Sequence, residues 1–429
     1  MTALFAFWTL LTGVSLLILS YRSWRFSHDI ISLERDIPAT LNKPWPKISM
    51  IVPACNEAAT IEPATRSLLK VDYPNLEIII VNDRSTDDTG KIIDRLARSD
   101  SRIKAVHIKH LPDGWLGKVN ALNQGVLRAT GEWFLLADAD VHFSKEALKK
   151  AISYCESSSL DFLTALPGVH GRGIWQQAML AQMTHQASLF LNLRRLNDPK
   201  RKLCFGVGAF NLLRRSVYEK SEGLEWLRMD VLDDSAIVLV MRRAGARVGI
   251  VSGKRAIELT WYSSFRSLIR GIEKNAFALC EYSPLILGLI TLVNLATVFG
   301  YTVAPFLTGS VWLVVFNFVS LLILQFSIWD KMNQVVYLNV VSWLLIPITV
   351  TILPFLMIRA AILVYWRGGI QWRTTFYPIK DLRANQRIKT ISLAFDKNYL
   401  RASESTLPSD PLGAMDPERK DKVGAMSIT

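Results

Sequence analysis

"LEIIIVNDRSTDDTGKIIDRLARS", Leu76–Ser99, changes character at its midpoint. Leu76–Asp83 is a β-branched apolar run, the pattern of a strand covered on both faces. The residues after it enter a helix through Ser, Thr and Asp. The same alternation extends outward in both directions. "ISMIVPA" (48–54) reads as a strand and leads into "CNEAATIEPATRSLLKV" (55–71), with Ile61, Ala64 and Leu68 at helical spacing and an acid near the start. "RIKAVHI" (102–108) is a third strand, "GKVNALNQGVLRAT" (117–130) a third helix and "EWFLLADAD" (132–140) a fourth strand. Strands alternating with helices predict an α/β domain on a largely parallel sheet.

In such sheets, ligands bind beyond the carboxyl ends of the strands. Asn56 and Glu57, Asp83, and Asp138 with Asp140 fall at those ends. Residues i and i+2 of a strand share a face, so Asp138 and Asp140 would repel unless a cation sits beside them. A loop start ahead of a helix capped by Ser144 explains the pair equally well. A row of acids and amides with no His or Cys cluster favours a hard ion, Mg²⁺ or Mn²⁺, over zinc.

The 429 residues are half hydrophobic, with a mean hydropathy of +0.22, and the excess is concentrated. Phe5–Leu19 is an apolar run followed by Arg22 and Arg25. No charge occurs from Tyr282 to Trp329, nor from Met332 to Ile358. At ~1.5 Å per helical residue and ~30 Å of hydrocarbon, the first of these supports two crossings, with a turn at Thr308–Ser310, and the second supports one. Pro347 and Pro354 are potential breaks in the second. The N-terminal run lacks a basic segment ahead of it, so it reads as a retained span rather than a cleaved leader. The basic residues that follow it place the 40–280 region in the cytoplasm. Four cysteines without metal or redox spacing fit a reducing compartment.

The net charge is +13, but the basic residues gather near the predicted membrane boundaries, which points to anionic lipid headgroups and away from nucleic acid. The expected organisation is an N-terminal span (1–25), an α/β domain (40–260) and an interfacial amphipathic helix (261–281). Two to four spans (282–366), a basic juxtamembrane segment (367–400) and a disordered tail (401–429) follow. One span before the α/β domain and three after it would put the basic tail outside. Either 332–366 is a broken re-entrant pair, or the tail is an exception to the positive-inside rule.

"VPACNEAATI", "VNDRSTDDT", "GWLGKVNALNQG", "LLADADVHF" and "LDDSAIVLVMRRAG" occur in that order. Together they resemble the membrane-bound, inverting family 2 glycosyltransferases of GT-A fold, above all the ceramide glucosyltransferase and carotenoid or hopanoid glycosyltransferase branch. The resemblance covers roughly residues 45–280. It implies that Glu57 and Asp83 bind the nucleotide base and ribose, and that Lys118 lies near the diphosphate. It gives Asp140 a metal, Mn²⁺ or Mg²⁺, with Asp138 on ribose or metal. Asp234 becomes the general base, with Asp233 next in line. Gly206 and Gly208, in "CFGVGAFNLLRRS", approach the sugar and acceptor.

The processive members of this family carry a Gln/Arg-x-x-Arg-Trp signature, and "WYSSFRSLIRGIEKNAFALC" has no such tryptophan. Arg266, Arg270 and Lys274 form an i, i+4, i+8 stripe instead, which could face the diphosphate or, more simply, lipid headgroups. The expectation is metal-dependent, inverting transfer of a single hexose from a UDP-sugar to a membrane lipid at the cytoplasmic face. Transfer to polyprenyl phosphate or a polysaccharide, and a catalytically silent nucleotide-sugar-binding subunit, remain as alternatives.

Overall fold

A computed structural model of the chain describes residues 1–191, 196, 203–332, 335–373 and 375–389. Helix α1 (Thr2–Asp29) leads to β1 (Ile48–Ala54), α2 (Ile61–Leu69), β2 (Leu76–Asp83), α3 (Thr89–Ser99) and β3 (Ile103–Ile108). Next come α4 (Gly117–Val126), β4 (Trp133–Leu136), β5 (His142–Phe143), α5 (Ala147–Ser157), β6 (Phe162–Val169) and α6 (Ile174–Leu191). The domain continues through β7 (Asn211–Arg214), α7 (Arg215–Tyr218), α8 (Asp233–Arg243), β8 (Val248–Leu259) and α9 (Phe265–Leu279). The C-terminal part holds α10 (Pro284–Thr302), α11 (Val311–Met332), α12 (Val340–Leu344), α13 (Ile346–Arg367), β9 (Gly369–Trp372), β10 (Thr375–Pro378) and α14 (Ile379–Asn385).

Eight strands form one sheet in the order β3-β2-β1-β4-β7-β6-β8-β5. β3, β2, β1 and β4 are mutually parallel, and β7 and β5 run against their neighbours. The period-2 alternation decides which residue meets which layer. Met50, Val52, Ile78 and Ile80 point into one core with α2, α3 and α5. Ile51, Ile79 and Val81 point into the other with α4 and α8. All seven are at most 2% exposed. Full burial of each such side chain stabilises by ~1.5–3 kcal/mol.

β4 ends at Leu136, earlier than the sequence pattern suggests. Ala137 still donates to Ile51 on β1, but the Asp138 amide turns aside to Gly208 O. Asp138 and Asp140 therefore stand past the strand, Asp140 in a turn, so alternation does not account for their pairing.

Four helices, α1, α10, α11 and α13, are long and apolar enough to cross a membrane. α1 and α11 lie side by side through small and polar residues, as apolar surroundings favour. The Ser23 hydroxyl donates to Ser327 O at 3.2 Å, the Asn317 amide to Thr9 O at 3.2 Å, and Gly13 meets the Phe316 ring. α10 joins where Thr12 donates to Gly300 O at 3.1 Å.

The segment expected to be a basic juxtamembrane stretch, 367–400, is structured as far as residue 389. β9 and β10 pair as a hairpin, and α14 follows. The Asp230 carboxylate accepts from the Arg387 and Ile388 amides at 2.7 and 3.1 Å, which ties the segment to the α/β domain. Its basic residues thus serve docking as well as any headgroup contact. Residues 390–400 and the expected disordered tail, 401–429, lie outside the described residues.

Candidate active site

The carboxyl ends of β1, β2 and β4 bring Glu57, Asp83, Asp138 and Asp140 to one edge of the sheet. The loops after β1 and β2 brace each other. Asn56, at φ 54°, donates its amide to Ser85 Oγ and accepts from the Thr86 amide at 2.8 Å. The Glu57 amide donates to Thr89 Oγ1 at 2.8 Å, and its carboxylate accepts from Thr60 at 2.7 Å. Asp83 is 4% exposed and held by both arms of the Arg84 guanidinium, at 2.7 and 3.1 Å.

Lys118 stands in the first turn of α4, where a cation opposes the helix dipole. Its partners outweigh that penalty: Nζ lies 2.8 Å from Asp138 Oδ1 and 3.4 Å from Asp233 Oδ2. Burial works against its charge, yet Asp138, Asp233 and Asp234 together hold its pKa above the ordinary value. Asp233 and Asp234 open α8, where the N-terminal dipole favours anions. The Asp234 carboxylate accepts from the Ser235 amide at 2.8 Å. Burial first, and the neighbouring Asp233 second, push its carboxyl pKa upward, against Lys118 and Lys274.

The two glycines sit where no side chain fits. A Cβ on Gly206 would overlap the Asp234 carbonyl, and one on Gly208 would lie 2.7 Å from Asp138 Oδ2 and 3.0 Å from Lys118 Nζ. A cavity of about 10 Å³, one water's worth, lies among Lys118, Asp138, Asn211, Asp233 and Asp234.

The basic stripe on α9 divides. Arg266 and Arg270 are exposed, whereas Lys274 is turned inward toward Asp233, Asp234, Asp138 and Lys118. Burial, followed by Lys118 among its neighbours, keeps its pKa below the ordinary lysine range, although the aspartates oppose this. Eight residues at ~100° each leave Lys274 some 80° off Arg266. Of the stripe, only the two arginines are exposed; Lys274 faces the carboxylates.

Two groups at the site were missed by the sequence reading. Asn211, on β7, reaches its amide toward Asp234 O at 3.5 Å, and its Oδ1 has no partner among the described residues. A lone amide ahead of two leucines in β7 was its one trace. The β9–β10 hairpin is the other. Trp372 lies 3.5 Å over Lys274 Nζ, Arg373 pairs with Glu57, Thr375 accepts from Arg84 at 3.2 Å, and the Tyr377 hydroxyl accepts from the Gly117 amide at 3.1 Å. Each contact falls on a residue at the site or beside one. A separate cleft of about 600 Å³ opens beyond Arg84 and Tyr377, along the 109–115 loop.

Among the described residues, no three His, Cys, Asp or Glu side chains are grouped so as to hold a metal ion. The Asp140 carboxyl is nevertheless pushed up to about 7, by burial and then by Asp138 and Glu57. Two carboxylates without nitrogen or sulfur donors fit a hard divalent cation that completes its shell with water or phosphate oxygens.

Residues 49–221 match the family model for glycosyl transferase family 2. Over 114 residues the chain is 37% identical to a probable glycosyltransferase, YdaM, of Bacillus subtilis (strain 168), covering 26% of this chain and 27% of that one. Over 148 residues it is 30% identical to the beta-monoglucosyldiacylglycerol synthase of Synechocystis sp., covering 34% of this chain and 30% of the relative. An uncharacterized glycosyltransferase of Haemophilus influenzae is 31% identical over 163 residues, 34% of this chain and 49% of its own. The matches thus span between about a quarter and a half of these relatives' lengths.

Among solved structures, the mannosyltransferase PcManGT from Pyrobaculum calidifontis, in complex with GDP-Man and Mn²⁺, superposes with a TM-score of 0.51 at 18% identity. It covers 86% of this chain and 100% of that one, a likeness of fold. The fold is GT-A, with an N-terminal helix and three C-terminal apolar helices that could span a membrane. Over residues 49–221, the chain is similar to glycosyl transferase family 2.

Proposed function

We propose that this chain transfers a single hexose from a UDP-sugar to the hydroxyl of a membrane lipid, with inversion, at the cytoplasmic face. One observation carries the reading: Lys118, Asp138, Asp233 and Asp234 meet in a single cluster on a domain flanked by apolar helices. Glu57 and Asp83 take the base and ribose, Asp83 as an acceptor-only carboxylate. Lys118 meets the diphosphate as a compact point charge, with Lys274 behind it. A divalent cation at Asp140, when bound, would supply further positive charge against the departing diphosphate.

Asp234 takes the proton from the acceptor hydroxyl as that oxygen attacks the anomeric carbon and the bond to UDP breaks. One displacement with one base inverts the configuration. Gly206 and Gly208 let their loop close onto Asp234 and Asp138, which holds these carboxylates toward the sugar and acceptor. The apolar helices hold the acceptor headgroup near the base, which supplies proximity. The Synechocystis relative, named for a glucosyl lipid product, supports a lipid acceptor. The missing Arg-Trp signature supports single addition.

The test is purified protein in lipid vesicles, offered labelled UDP-hexoses one at a time. A labelled lipid bearing one sugar is the expected product. Label in a polymer would replace this reading with polysaccharide synthesis. No binding of any nucleotide sugar would remove it altogether.

A further inference from the structure

α13 is 22 residues long, and a helix of that length, ~33 Å, carries its two ends to opposite faces of a ~30 Å hydrocarbon layer if it crosses. Both of its ends lie against the α/β domain. Just ahead of its start, Val336 bridges to Val169 at the end of β6. The Asn339 amide and the Ser342 hydroxyl donate to Gln177 on α6, at 3.0 and 2.9 Å. Just past its end, β9 and β10 lie against Glu57, Arg84 and Gly117 of the catalytic domain.

The middle of the helix is held there too. Arg359 and Arg367, two turns apart, both pair with Glu273 on α9. Leu353 and Ala360 pack in the same core as Leu268 and Ile272. If α13 crossed, Arg359 would sit deep in hydrocarbon, where a charge is costly. The other face is different. Ile348, Phe355, Ile362 and Trp366 follow one another at 7, 7 and 4 residues, one stripe, and are 48, 56, 62 and 83% exposed. α10, itself apolar and exposed along Leu285, Leu289 and Leu292, packs beside α13 and continues that surface.

We propose that α13 does not cross the membrane but lies in its plane on the catalytic side, with this stripe immersed at the boundary between headgroups and acyl chains. A helix with one apolar face and its charges turned the other way suits that position. The chain leaves the catalytic domain at α10 and is back beside it after α11, where Ser27 of α1 meets Asp330. With α13 in plane, residues 369–389 stay on the catalytic side. The basic C-terminal segment then obeys the positive-inside rule, and neither a re-entrant pair nor an exception is needed. In-plane seating also places α9, and Lys274 on it, directly beneath the lipid surface. The inference rests on the membrane reading of the apolar helices and is independent of the transfer reaction.

The test uses the full chain in vesicles. Cysteine is introduced singly as Ile348→Cys, Phe355→Cys or Ile362→Cys on a Cys55→Ser background and coupled to a fluorophore. Nitroxide lipids then quench it from shallow or deep positions. Three equal depths, each quenched more by the shallow nitroxide, are expected. A gradient with Phe355→Cys or Ile362→Cys deep and Ile348→Cys shallow would overturn the proposal in favour of a span. No lipid quenching at any position would overturn it in favour of a face covered by protein. Reporters fused to the two termini give an independent reading. The C-terminus should share the side of the catalytic domain and the N-terminus should not; a C-terminus on the opposite side contradicts in-plane seating.

Discussion

At the scale of single residues, the account turns on Asp234. Asp234→Asn removes the proton acceptor while keeping shape, and a general base typically contributes ~10²–10⁴-fold. Transfer should fall by that factor while nucleotide-sugar affinity, measured by titration, is kept. Because burial and Asp233 raise the Asp234 pKa to about 6, the base is increasingly protonated below that pH. The pH–rate profile should climb through about 6 and level off above it. Asp233→Asn, by removing a like charge, should move the acid limb to lower pH. Gly206→Ala should reduce kcat with the fold intact by circular dichroism, since its Cβ would drive the Asp234 carbonyl aside. The acids were legible because charged side chains ending apolar runs stand out against their neighbours. Asn211 was not, because its role comes from a neighbour in space, Asp234, and not from a pattern along the chain.

At the scale of elements, β2 was legible to the residue, since Ile78–Val81 is buried on both faces and leaves no polar period. The same strand carries a structural acid. Glu77 is 4% exposed and bonded by Lys104, Ser49 and the Thr130 amide. Burial raises its pKa, but these donors outweigh it and bring the value down to about 2 from an ordinary 4.5. A pKa lower in the folded state means stabilisation that is complete above about pH 4.5 and lost as pH falls toward 2. Glu77→Gln should therefore cost ~2 kcal/mol at neutral pH and little near pH 2, read as the shift in thermal midpoint at the two pH values. The β9–β10 hairpin was not legible. "GIQW" and "TFYP" are short, Arg373 sits at φ 54°, and their partners lie some 250 to 320 positions earlier, at Glu57, Arg84 and Gly117. Lys274 taught a smaller lesson. A spacing of i, i+4, i+8 defines one stripe only loosely, and the drift turned its last member into the site.

At the scale of the whole molecule, the division into apolar helices and a polar α/β domain was plain from where charges stop and start. Hydrophobicity and length alone made α13 a crossing helix. The packing of Arg359 and Arg367 on Glu273, fixed by tertiary contact, carries the opposite information. The central claim, a cation-assisted transfer from UDP-sugar to lipid, is tested most directly by UDP release from purified protein in vesicles. The assay runs with UDP-glucose and other UDP-sugars, with and without lipid extract, in Mn²⁺ or Mg²⁺ against EDTA. The account predicts release that requires both the cation and the extract, and that Asp234→Asn abolishes. Release unchanged by EDTA and by omission of lipid, or release fully retained in Asp234→Asn, would contradict it.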